Sequence, residues 1–240
     1  MKQAAAVAAL LAFMPLGAHA TGEGARLYQT YCSSCHGARA QGTPTAPSLH
    51  GLSAAYVHFM IDSGRMPAPA PRVNEIPREP RFTYAQIDRI VRNVTSLSPT
   101  PVDTSLPLVS NGTVNRGRAL FAANCAQCHG AVGDGASVGA ANVAPDLATA
   151  TVFQIGEAIR AGPGIMPRFG PKVLDDRDVS DIAYFVNYAE THADEPRGPN
   201  SGGFPLAHLG PVAEGFIAWL FGLGTLVVFI RSIGTAGEDS

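Results

Sequence analysis

Two short stretches of the 240-residue chain hold all four of its cysteines, Cys32-Ser-Ser-Cys35-His36 and Cys125-Ala-Gln-Cys128-His129. Both read C-x-x-C-H. One helical turn puts the two thiols on one side, where each can form a thioether with a vinyl group of haem, and the following residue brings its imidazole under the iron. Disulfides and a four-cysteine zinc site compete for the same residues. Disulfides leave the histidine after each pair unexplained, and zinc leaves two later Met-Pro elements without a purpose.

Those elements are Gly64-Arg-Met66-Pro67 and Gly164-Ile-Met166-Pro167, which follow His36 and His129 by 30 and 37 residues at the methionine. Their thioethers are the expected sixth ligands, with the proline fixing the loop that presents the sulfur. Met14 and Met60 lack such a context and are read as packing. His/Met ligation raises the reduction potential and closes both axial positions of the iron, which suits single-electron transfer rather than oxygen or peroxide chemistry. The expected cofactor set is two covalently bound haems c, attached at Cys32, Cys35, Cys125 and Cys128 and ligated by His36/Met66 and His129/Met166.

The elements that must position these residues also recur. Gly24-Ala-Arg-Leu-Tyr28 before Cys32 matches Gly117-Arg-Ala-Leu-Phe121 before Cys125, and Ala46-Pro47-Ser-Leu49 matches Ala144-Pro145-Asp-Leu147. The repeat offset is 93 at the cysteines and 100 at the methionines, and the seven-residue difference is placed mostly in the Gly/Ala-rich stretch 133–144. Pro47 and Pro145 are candidates to offer carbonyls that orient the axial imidazoles. Gly24/Tyr28 and Gly117/Phe121 are expected to let the first helix of each lobe cross closely against its last. That last helix shows as Tyr84-x-x-Ile87-x-x-Ile90-Val91-x-x-Val94 and Val179-x-x-Ile182-x-x-Phe185-Val186, with Thr83 and Asp178 as candidate N-caps. His50, His58, His192 and His208 have no partner in the other repeat and are read as surface or core residues.

The two ends of the chain point to a membrane. Residues 1–20 carry one Lys, an apolar run and Ala18-His19-Ala20, a signal-peptidase pattern predicting cleavage before Thr21, with an uncleaved anchor as the alternative. Residues 215–230 are uncharged and apolar all round, and predict a single span with Arg231 on the cytoplasmic side and the body outside. Charged residues make up 15% of the chain and the net charge is −2, which excludes a disordered polyion and argues against nucleic acid as a partner. The architecture read from this is all-α: signal peptide 1–20, first lobe 21–98, linker 99–115, second lobe 116–191, linker 192–211, transmembrane helix 212–234 and cytoplasmic tail 235–240.

The sequence resembles class I dihaem cytochromes c, on the two C-x-x-C-H motifs and their Met-Pro partners. More narrowly it resembles the cytochrome cc subunit of the actinobacterial-type menaquinol:cytochrome c reductase, the bcc complex. That likeness rests on Ser63-Gly-Arg-Met-Pro67, on Ile76-Pro-Arg-Glu-Pro-Arg-Phe-Thr83, on Gln86-Ile-Asp88 and on the tail Gly210-Pro-Val-Ala-Glu-Gly-Phe-Ile-Ala-Trp219-Leu. It implies two tandem class I cytochrome c domains plus one C-terminal transmembrane helix. It also implies a translocase subunit that takes electrons from a Rieske iron–sulfur protein beside cytochrome b and delivers them to a terminal oxidase, with no substrate-transforming site of its own. A free-standing membrane-anchored dihaem carrier is the alternative. Residues 21–105 sum to +2 and residues 106–210 to −3, an asymmetry that can orient docking, although composition noise explains it equally well. The basic stretch 72–81 is a candidate for partner contact or for pairing haem propionates, with Arg78 and Arg81 singled out.

Overall fold

The computed structural model describes residues 22–70, 77–139, 142–192 and 211–235. The predicted signal peptide and its cleavage site lie outside these residues, as does His208. The regular elements of the described chain are helices apart from one short hairpin, and the chain divides into two compact units. The first comprises the residues up to Leu106 together with Arg160–Arg168; the second comprises Pro107–Ile159 and the chain from Phe169 onward.

In the first unit α1 (Glu23–Tyr31) runs into the single turn α2 (Ser33–His36), and α3 (Ala54–Asp62) and α4 (Tyr84–Ser96) complete the set. α1 buries Gly24, Leu27 and Tyr28, one face at helical spacing, against Ile87, Ile90, Val91 and Val94 of α4, with Val57 and Ile61 of α3 closing the core. The crossing of α1 on α4 is tight because position 24 has no side chain. A Cβ there would lie 2.6 Å from the carbonyl carbon of Arg89.

The second unit repeats the plan with α5 (Val114–Asn124), α6 (Ala126–His129) and α8 (Asp176–Thr191); α7 (Val152–Ala161) precedes the second methionine. A Cβ at Gly117 would lie 2.5 Å from the carbonyl carbon of Asp181 and 2.8 Å from the Cβ of Phe185. Phe121, Val179, Ile182, Phe185 and Val186 form the buried contact, with the Phe121 and Phe185 rings 5.3 Å apart. Both glycines therefore do what their place in the repeat predicts.

The extra residues of the second repeat build a hairpin. The offset is still 93 at Gly42/Gly135 and has risen to 98 at Pro47/Pro145. Between those points the first lobe makes a tight turn bridged Thr43 to Ala46, whereas the second pairs β1 (Ala136–Ser137) with β2 (Val143–Ala144) in antiparallel register. The strands are two residues each and leave the all-α architecture intact.

Thr83 caps α4, accepting from the Gln86 N–H while the Gln86 side chain accepts from the Thr83 N–H. The corresponding expectation for α8 is corrected: the N-cap is Asp175 and not Asp178. Asp175 takes the extended backbone a cap needs and accepts from the Asp178 N–H at 2.8 Å, and the Asp178 carboxylate returns to the Asp175 N–H at 2.9 Å. Starting one turn earlier places Asp176 and Asp178 in the first turn, where the helix dipole favours negative charge.

The helix crossings carry ion pairs of opposite polarity at matching positions. Glu23 meets Gln86 and Arg89 in the first unit, and Arg116 meets Asp178 and Asp181 in the second. Asp181 is buried and also accepts from the Thr113 N–H at 2.5 Å.

The Pro-rich stretch after α4 is extended and held by hydrogen bonds in both units. Ser98 Oγ accepts from the Gly51 N–H and the Asp103 carbonyl from the Ala54 N–H, while the Ser110 N–H donates to Ser180 Oγ. At the C-terminus α9 (Pro211–Thr235) contains Gly215–Ile233, which is long and apolar enough to cross a membrane and has no residue buried against the rest of the chain. Its 25 residues span about 37 Å, more than the ~30 Å hydrocarbon core.

Candidate functional site

Each C-x-x-C-H sits on a helix break followed by a single turn. Cys32 closes α1, its N–H donating to the Tyr28 carbonyl at 2.9 Å, and then turns the chain with φ −121°. The Cys32 carbonyl receives the N–H groups of Cys35 and His36 at 3.2 and 2.9 Å. Gly37, at φ 83°, ends the turn in a conformation that glycine adopts without strain. The second motif reproduces this: Cys125 donates to Phe121, its carbonyl receives Cys128 and His129 at 3.0 and 2.9 Å, and Gly130 has φ 79°.

The imidazoles are oriented identically. His36 Nδ1 lies 2.8 Å from the Pro47 carbonyl, and His129 Nδ1 lies 3.2 Å from that of Pro145. A carbonyl only accepts, so Nδ1 carries the proton and Nε2 keeps its lone pair for a metal. The loops that bring each proline back are closed by matching bonds: the Gly42 N–H donates to His36 and Gly135 to His129, and the Leu49 N–H donates to Ala40 and Leu147 to Gly133. In the first lobe the buried Tyr28 hydroxyl also donates to the Gly37 carbonyl at 2.7 Å, and burial pushes that phenol up to about 12. Phe121 has no hydroxyl, so the second lobe lacks this bond.

The four cysteines are not joined as disulfides, and no group of three or more His, Cys, Asp and Glu gathers among the described residues. Burial, reinforced by the neighbouring cysteine, pushes the Cys32 and Cys125 thiols up to about 11.

Met66 is half-buried against the first core, its N–H donating to the Met60 carbonyl at 2.7 Å. Met166 is half-buried in a turn whose N–H donates to Pro163. Cys32, Cys35, His36 and Met66 thus share the first compact unit; Cys125, Cys128 and His129 share the second, and Met166 falls in the segment grouped with the first. Of the two arginines singled out in the sequence, Arg81 stacks on the Tyr31 ring at 4.6 Å, and the Arg78 main chain donates to the Ser63 carbonyl. His58 is buried, His50 bonds the Arg39 carbonyl and His192 stacks on Tyr188, so these three are core and surface residues as read. The Tyr28 hydroxyl bond is missed because Tyr28 reads only as packing in the sequence, and Asp181 is not legible because its partners lie more than 60 residues away.

Two lobes each built as a prolyl-held C-x-x-C-H turn beside a glycine-crossed helix pair define a protein of tandem cytochrome c domains, here with a C-terminal helix able to span a membrane. The family model described as "Cytochrome C oxidase, cbb3-type, subunit III" matches twice, at residues 19–92 and 112–186. The "Cytochrome bc1 complex cytochrome c subunit" of Mycobacterium tuberculosis (strain ATCC 25618 / H37Rv) is 38% identical over 219 residues, covering 88% of this chain and 76% of that protein. The protein of the same description from Corynebacterium diphtheriae is 33% identical over 231 residues, covering 89% and 80%. A "Cbb3-type cytochrome c oxidase subunit CcoP" from Cereibacter sphaeroides is 29% identical over 186 residues, covering 70% and 61%. The chain belongs to the family of cytochrome c subunits of the cytochrome bc1 complex. Cytochrome c domains carry covalently bound haem c, and the paired thiols, the imidazole with a free Nε2 and the thioether form a donor set that fits it.

Proposed function

We propose that the chain is the dihaem cytochrome c subunit of a quinol:cytochrome c reductase of the actinobacterial bcc type. It accepts electrons from a Rieske iron–sulfur protein working beside cytochrome b and hands them to a terminal oxidase. The observation that carries this reading is the doubled turn in which both imidazoles donate Nδ1–H to a proline carbonyl. In this reading it is a translocase subunit whose partners are cytochrome b and the Rieske protein, and its likeness to cytochrome c subunits of the bc1 complex supports that.

Haem c, when bound, supplies a one-electron carrier. Cys32 and Cys35, and Cys125 and Cys128, are its covalent attachment points. His36 with Met66, and His129 with Met166, would hold its iron. The chain's residues orient the imidazole through the prolyl carbonyls, bury Tyr28 and Phe121 behind the turn, and would offer the iron a thioether as well, a donor set suited to electron transfer. The domain limits follow the repeat, 21–98 and 116–191, with 1–20 as a removed signal peptide. α9 anchors the protein, with Arg231 on the cytoplasmic side and the lobes outside.

Replacing Met66 and Met166 singly by alanine tests the ligand set. Each variant should lower the midpoint potential of one haem and open its iron to carbon monoxide. An unchanged potential would show that the methionine is not a ligand.

A further inference from the structure

The two methionine loops are held by different means. In the first lobe the loop is clamped by the segment that follows it: the Arg78 N–H donates to the Ser63 carbonyl at 3.0 Å, and a Cβ at Gly64 would lie 2.5 Å from the Arg78 carbonyl carbon. In the second lobe there is less chain to form such a clamp. The N-cap Thr83 follows Met66 by 17 residues, whereas the N-cap Asp175 follows Met166 by nine. Correspondingly, a Cβ at Gly164, the partner of Gly64 in the repeat, would meet nothing within 4 Å.

The second loop is tied to the end of α7 by the Phe169 N–H, which donates to the Ile159 carbonyl at 3.0 Å, and it has one further hold elsewhere in the chain. Arg168, two residues past Met166, pairs its guanidinium with Asp103 Oδ2 at 3.3 Å. Asp103 is itself fixed. Its carbonyl accepts the Ala54 N–H at 2.8 Å at the start of α3, and its other carboxylate oxygen accepts the Ser105 N–H and hydroxyl at 3.0 and 2.6 Å. These Ser105 bonds, with Arg168 and Arg160 at the two ends of the methionine segment, hold the Asp103 carboxyl below its ordinary value, so it is charged at all physiological pH. One oxygen is thus committed to the local turn and the other faces Arg168.

We propose that Asp103 is the positioning residue for Met166, anchoring the segment Arg160–Arg168 through Arg168 and so replacing the clamp that Arg78 provides in the first lobe. The inference rests on Met166 being an axial ligand. Asp103 touches no part of the haem ligand set and acts only through the loop. The pair is half-exposed, with side chains 54% and 46% accessible, so its loss should raise the population with the thioether off the iron by at most about fivefold.

The test is the rate at which cyanide binds the two ferric haems of the full-length protein in detergent, since cyanide enters only when the methionine is off. Asp103→Asn should speed binding two- to fivefold at one haem and leave the other unchanged, and Asp103→Glu should restore the slow rate. High salt should bring wild type toward Asp103→Asn and leave Asp103→Asn where it is, a response that a merely structural role would not give. An unchanged rate, or acceleration at both haems that salt does not mimic, would overturn the proposal. Met166→Ala separates the two levels: if it fails to speed cyanide binding, the ligand assignment is wrong and the Asp103 inference falls with it. If it speeds binding while Asp103→Asn does not, only the Asp103 inference is wrong.

Discussion

Gly117→Ala discriminates two opposite expectations. By helix propensity alone, alanine in place of glycine inside α5 stabilises by about 1 kcal/mol. By the crossing geometry, the new Cβ lies 2.5 Å from the Asp181 carbonyl carbon and 2.8 Å from the Phe185 Cβ, where carbon atoms need about 3.5 Å or more. α5 and α8 must then separate by about 1 Å along a contact that holds Phe121, Val179, Ile182 and Phe185 buried. Overpacking of this kind costs about 1–3 kcal/mol, and opening a close-packed seam adds lost dispersion contacts. We expect a net loss of about 2 kcal/mol for the second lobe, or ~8–16 °C in its thermal midpoint. The assay is thermal unfolding of the haem-loaded protein followed by far-UV circular dichroism, with the haem absorbance of each lobe recorded in parallel. An unchanged or raised midpoint would refute the close crossing and leave propensity as the governing effect.

Glu23→Arg should destabilise the first lobe by opposing Arg89, and Glu23→Arg with Arg89→Glu should recover the loss, with a coupling of about 0.5 kcal/mol in a double-mutant cycle because the pair is partly exposed. Thr83→Ala should cost about 1 kcal/mol in denaturant unfolding through loss of the α4 cap, independent of pH. The α8 cap should titrate. The Asp178 N–H holds the Asp175 carboxyl below its ordinary value, so its contribution is present above about pH 4 and is lost as pH falls through the folded-state value, a slope that Asp175→Asn should flatten. A chain ending before residue 211 should leave the membrane fraction with its haem lobes intact, and protease added to spheroplasts should remove the lobes of the full-length protein. Lobes protected in spheroplasts would reverse the proposed orientation.

Local chemistry was the legible part. The C-x-x-C-H turns, the prolyl carbonyls, the glycine crossings and the apolar helix are each set by neighbours within about a dozen residues, or by a pattern that the repeat shows twice. What escaped depends on choice among equivalents or on distance. Asp175, Asp176 and Asp178 all suit a cap, and only the backbone start of α8 selects Asp175. The hairpin across 136–144 was visible as extra length but not as strands, since Gly and Ala give no alternation. Asp103 sat in a Pro-rich stretch read as a plain connection, and its partner Arg168 lies 65 residues away. The Asp181 network with Thr113 and Arg116 likewise joins residues more than 60 apart, and nothing in either segment announces the other.

The most direct test of the assignment is a haem count on the native complex. Tagged protein drawn from its own membranes in mild detergent should give, by pyridine haemochrome spectra, two haems c per chain together with b-type haem in reduced-minus-oxidised difference spectra. One haem c per chain would contradict the paired ligand sets. Two haems c without any b-type haem, in every mild detergent tried, would contradict membership of a working reductase and leave an independent anchored carrier.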